Sequence, residues 1–130
     1  MARSSIVGIQ YTQKVADGAD LSVAAKQYTF VKAVANQRVN TCGLNGVMLG
    51  VQMQLAVGSP QSVMIRQNGT ALLKVDGTTP IIANDRLKSD ASGRGIKAAA
   101  GDVAGAIALE GADVADLVIE VALISPSAAS

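Results

Sequence analysis

Apolar and polar residues alternate with a period of two along most of this chain. In 47-VMLGVQMQL-55, Val47, Leu49, Val51, Met53 and Leu55 share one face, and Met48, Gly50, Gln52 and Gln54 share the other. That spacing predicts a half-buried strand. In 71-ALLKV-75, Ala71, Leu73 and Val75 alternate with Leu72 and Lys74. In 103-VAGAIAL-109, Val103, Ile107 and Leu109 alternate with alanines. In 117-LVIEVALI-124, Leu117, Ile119, Val121 and Leu123 line one face, and the opposite face, Val118, Glu120, Ala122 and Ile124, is also largely apolar. This strand is therefore expected in the middle of a sheet or at a contact between subunits.

Turn signals separate these runs at short intervals. The pair Asn68-Gly69 suits a two-residue hairpin turn, because both central positions need positive φ, and it is expected to join 62-SVMIR-66 to 71-ALLKV-75. Further breaks fall at 76-DGTTP-80, 90-DASGRG-95 and 110-EGAD-113. Short strands between Gly, Asp and Asn predict an all-β fold, a small antiparallel β-barrel or β-sandwich. Residues 20–42 also fit an amphipathic helix, with Leu21, Ala25, Tyr28 and Val31 on one side. The strand-forming run Tyr28 to Val31 favours a hairpin around Ala35, Asn36 and Gln37 instead. Residues 1–19, with one short apolar patch, read as an extended N-terminal arm, residues 20–125 as the β domain, and residues 126–130 as a flexible tail.

Composition changes this picture in two ways. Hydrophobic residues make up 49% of the 130 residues, yet aromatic residues are only 2%. Burial must come from small aliphatic side chains, which stabilise weakly at roughly 25 cal/mol per Å². A chain built this way gains from covering a further face with a copy of itself or with another protein. Net charge is +1, so no global field steers it to nucleic acid. Residues 1–40 nevertheless carry five basic and two acidic residues, against six and eight in the remainder.

The stretch 93-GRGIKA-98 matches the G-x-G-x-x-A dinucleotide fingerprint, which has meaning only between a strand and a helix. A helix here would run through Gly101 and Gly105, each costing about 1 kcal/mol. A hairpin with its turn at Asp90, Ser92 and Gly93 is the better reading. The chain has no His, which removes Ser-His-Asp and Cys-His catalysis and the usual zinc sites. No phosphate loop or EF-hand spacing is present. The single cysteine, Cys42, cannot form an intrachain disulfide and reads as a buried thiol. Neither Lys74, inside a strand, nor Lys88, before a turn, sits at a hairpin tip as a carrier lysine would. No catalytic residue, cofactor or metal site is expected, nor an enzyme. No signal peptide or membrane-length apolar run is seen, so a protein made in a cytoplasm is expected.

The ordered series DLSVAAKQYTFVKA, GVMLGVQMQLAVGSPQSVMIRQNGTALLKV and ANDRLKSDASGRGIKAAAGDVAGAIALEGADVADLVIEVALI resembles the small all-β capsid decoration (cement) proteins of tailed bacteriophages. It covers about residues 17–124. The family pattern has a Gly before Asp85, where this chain has Asn84, and a Gly-containing turn before the last strand, where this chain has 113-DVADL-117. The segment GAIALE also stands where the pattern has GIALE. The resemblance implies a β-tulip-like fold and a virion protein on the outer capsid surface, with the major capsid protein and itself, as a homotrimer, for partners. Neither nucleic acid nor membrane is implied as a partner. The contact residues expected on this basis are Arg3, Ile6, Val7, Ile9, Tyr11 and Lys14 in the arm and Val118 in the last strand. The alternative is a small β-barrel carrier or ligand-binding module of an enzyme system.

Overall fold

A computed structural model describes residues 10–16, 19–35, 38–44, 46–58 and 61–128. The protein is all-β, as the alternation predicts. Five strands close into a barrel: β1 (Gln10–Val15), β2 (Thr29–Val34), β3 (Arg38–Thr41), β4 (Gly50–Gln52) and β5 (Ser62–Arg66). Around the barrel their order is β1-β3-β2-β4-β5. Five more form a second sheet: β6 (Gly69–Lys74), β7 (Arg86–Ser89), β8 (Gly95–Lys97), β9 (Val103–Ala108) and β10 (Val118–Ala128), in the order β6-β10-β9-β7-β8. The strand ladders are antiparallel except that of β1 with β3, which is parallel. The second sheet curls until its edges meet. Val75, just past β6, bridges Gly95 in β8, and the Asp76 N–H donates to the Gly95 carbonyl at 3.0 Å.

The hairpin expected over residues 28–42 is present as β2 and β3, with Val34 opposite Arg38. The helical alternative survives only as a single 3₁₀ turn, Ala24–Lys26. Three expectations need correction. The segment 1–19 is not an arm throughout. Gln10–Val15 is a barrel strand, held by β5 on one side and β3 on the other, because closing the barrel requires a strand between those two edges. The tail does not begin at residue 126. Strand β10 continues past a bulge, and Ser127 and Ala128 pair with Ala104 and Val103. Asn68-Gly69 does not close a hairpin. Both edges of β5 are taken by β1 and β4, so β6 leaves the barrel and pairs with β10. Gly69 supplies the positive φ of 83° at that crossover.

Two cores result. Val15, Leu21, Val31, Val39, Val63 and Ile65 fill the barrel with Ala56. The opposite side of the same strands feeds the second core: Phe30, Val51 and Met48, just before β4, meet Leu73, Val75, Leu87, Ile119 and Val121. β4 therefore lies between two interiors, and its expected solvent face is buried. Gln52, on that face, is fully buried and donates through Nε2 to the carbonyls of Leu21 (2.7 Å) and Gln54 (3.0 Å). Gly50 leaves no room for a side chain, since a Cβ would overlap the Arg66 carbonyl. In β9 the alanines face the core: Ala106 lies in register between Leu87 and Leu123, a large–small–large row that interdigitates.

Candidate contact surfaces

The turn 89-SDASGR-94 joins β7 to β8 and is densely hydrogen-bonded. Asp90 organises it. One carboxylate oxygen accepts from the N–H groups of Ser92 (2.8 Å) and Arg94 (2.9 Å), and the other meets Arg94 Nε at 3.1 Å. The Arg94 guanidinium also reaches Asp76 at 3.3 Å and Asp116 at 3.2 Å. One side chain thus ties together the turn, the end of β6 and the turn before β10. Burial opposes the Arg94 charge, but Asp116, Asp90 and Asp76 outweigh it and hold the guanidinium above its ordinary pKa. Gly93 has φ +85°, and a Cβ there would press on Thr41 Cγ2 at 2.9 Å and the Phe30 carbonyl at 3.0 Å. The turn is seated against the barrel.

This geometry settles the fingerprint. Gly95 opens strand β8, and the residues after it lead into strand β9, so no helix N-terminus stands behind the glycines to hold a phosphate. Cys42 is fully buried, and burial pushes its thiol pKa up, which disfavours the nucleophilic thiolate. Among the described residues, no group of three or more His, Cys, Asp or Glu side chains could hold a metal ion. No helix among them is long and apolar enough to cross a membrane.

The predicted contact residues fall in different places. Arg3, Ile6, Val7 and Ile9 lie outside the described residues. Tyr11 lies within β1, opposite Ile65. Lys14 is exposed on the outer side of β1, with Arg38 beside it in register on β3. Val118 is half-buried at the start of β10, opposite Lys74 on β6. Lys14 and Val118 are thus on separate sheets. Sequence reading missed a second apolar surface, where Ile82, Leu109, Val114 and Leu117 are exposed. Its floor is a shallow groove lined by Pro80, Ile81, Gly111 and Asp113, held by the Ile81–Ala112 bridge. These residues come from two separate loops, so no single stretch carried the signal.

The two departures that lack a glycine of the decoration-protein pattern have a common backbone explanation. Asn84 has φ 77° and Asp116 has φ 63°. Both hold the left-handed conformation for which glycine is the usual residue and Asn and Asp the usual substitutes. Comparison of the chain with protein-family models and with curated proteins found no match in either.

Proposed function

We propose that this chain is a structural virion protein. In this reading it binds the outer surface of an assembled bacteriophage capsid and stabilises the shell by bridging neighbouring capsomers, as the decoration proteins it resembles do. The observation that carries the reading is the match between pattern and backbone. The motif series runs in order along the all-β ladder, and the two positions that lack the family's glycine, Asn84 and Asp116, keep a glycine-like backbone. A role in binding alone also suits a molecule whose polar cluster around Arg94 holds its own turns together.

The partners are the major capsid protein and further copies of this chain as a homotrimer. Val118 and its neighbours on the outer side of β10 are the face proposed for one such contact. The mechanism is mass action: a protein that binds only the intact lattice stabilises it by RT ln(1 + [L]/Kd) per site. The test uses purified capsids lacking the protein. Added protein should decorate them in ordered positions by cryo-EM and raise their disruption temperature. A truncation removing residues 2–9, which leaves β1 whole, should keep the fold and lose occupancy if the segment anchors the protein. Absence of ordered binding by the full chain would overturn the capsid reading.

A further inference from the structure

The charge of this molecule divides where its architecture divides. Residues 1–68 carry six basic and two acidic residues, and residues 69–130 carry five basic and eight acidic. The barrel half is thus +4 and the second sheet −3. No barrel strand contains Asp or Glu. Lys14 (β1), Arg38 (β3), Lys32 (β2) and Arg66 (β5) alternate with the inward-facing core residues on four neighbouring strands. Lys14 and Arg38 are register partners. Beyond Lys97, in contrast, the chain has five acidic residues and no Lys or Arg. Of these, Asp102 and Asp116 meet Lys88 and Arg94 within the chain. Glu110, Asp113 and Glu120 are exposed, beside the exposed Leu109, Val114 and Leu117.

We propose that the outer wall of the barrel docks onto the acidic 109–120 face of the second sheet in another copy of this chain. One molecule cannot satisfy itself this way. β2 and β4 are the barrel strands that pack on the second sheet, so the wall made by β3, β1 and β5 faces elsewhere. The contact joins two different patches and is therefore heterologous. Large apolar side chains are exposed in both halves, Leu44, Val47 and Val57 among residues 1–68 and Leu109, Val114 and Leu117 among residues 69–130. A nucleic acid is a poorer fit for the wall, because the acidic second sheet would repel a phosphate backbone. This inference deepens the copy-to-copy contact proposed above and needs no capsid, so it stands or fails separately from the shell assignment.

The test is sedimentation equilibrium of the full chain in solution. Association is expected at low salt (~20 mM) and should weaken at least about tenfold at ~0.5 M, where the Debye length is only a few Å. Two charge-reversed proteins decide the surfaces: Lys14→Glu, and Asp113→Lys with Glu120→Lys. Each alone should be monomeric, with a melting temperature near that of the parent. Mixed in equal amounts they should associate again, since each supplies the patch that the other lost. The neutral variant Lys14→Gln should weaken association without reversing it. A parent chain that is monomeric at low salt, association indifferent to salt, or a mixture that stays monomeric would overturn the proposal. So would tighter binding of the parent to a double-stranded DNA oligonucleotide than to itself.

Discussion

The backbone N–H of Phe30 donates to the carbonyl of Gly93 at 2.7 Å, joining a barrel strand to the turn of the second sheet. The Phe30 carbonyl in turn accepts from the Cys42 N–H at 3.0 Å. Gly93 has no room for a methyl group and a φ that disfavours one. Gly93→Ala should therefore cost about 1–3 kcal/mol, the range for backbone strain at an over-determined position. Urea denaturation measures it. A loss below about 0.5 kcal/mol would mean that the turn slides off the barrel freely.

Asn84 and Asp116 separate backbone from side chain. Asn84→Gly should be neutral or slightly stabilising, whereas Asn84→Ala should cost about 1 kcal/mol, because Ala pays the left-handed penalty without Asn's local hydrogen-bonding capacity. Asp116→Gly keeps the backbone but removes one carboxylate from Arg94 and should be mildly destabilising. Thermal melts of the three proteins give the order, and equal melting of the two Asn84 variants would remove the backbone explanation.

Acid should loosen the end of the barrel near Leu21. Asp20 accepts hydrogen bonds from the Gln61 side chain (2.9 Å) and the Ser22 N–H (3.0 Å), and Gln61 passes the link on to the Leu21 N–H (3.0 Å). The bond from Gln61, followed by those from Ser22, lowers the Asp20 pKa to about 2, below its ordinary 3.8. A lowered folded-state pKa means that the contribution is complete above the unfolded value and lost as pH falls from about 4 towards 2. Asp20→Asn should lower stability near pH 7, where the carboxylate contributes fully, and so flatten the profile between about pH 4 and 2, with little difference from the parent at the acid end. NMR titration of the carboxyl checks the pKa directly.

Neighbouring residues on β10 should respond differently to the same change. Ile119 is 1% exposed, and Ile119→Asp places an unpaired carboxylate in the second core, at a cost of several kcal/mol. Circular dichroism should show an unfolded chain. Val118→Asp, on the half-exposed side beside Lys74, should fold and instead impair contacts with other molecules. Equal unfolding by both would make that side of the strand part of the core.

The strands themselves were legible because apolar alternation reports burial directly. Ala71, Leu73 and Val75 face inward, and Leu72 outward, as their spacing predicts. What the pattern could not give was pairing. Asn68-Gly69 has the chemistry of a hairpin turn, yet partner choice for β5 and β6 is decided by which edges barrel closure leaves open. Alternation also fails where both sides of a strand are covered. Gln52 looks like a solvent-facing residue, but Val51 takes the side towards the second core and Gln52 faces the barrel core, where its amide bonds to the Leu21 and Gln54 carbonyls. The contact surfaces were hardest to read. Lys14 was visible as a charged strand residue, but its neighbour Arg38 is brought there by the parallel pairing of β1 with β3, which no local signal announces.

The place of β10 has a consequence for synthesis on the ribosome. The barrel uses strands from residues 10–66 and can close as soon as they have emerged. The second sheet cannot, because β10, the latest of these strands to be made, lies between β6 and β9. Until residues 118–128 arrive, β6 and β9 each lack a partner edge, and Leu73 and Ala106 lack the wall they pack against. For that interval the nascent chain is a finished barrel trailing open, apolar strands, the state in which a chain is most exposed to chaperones and to misassembly with its neighbours.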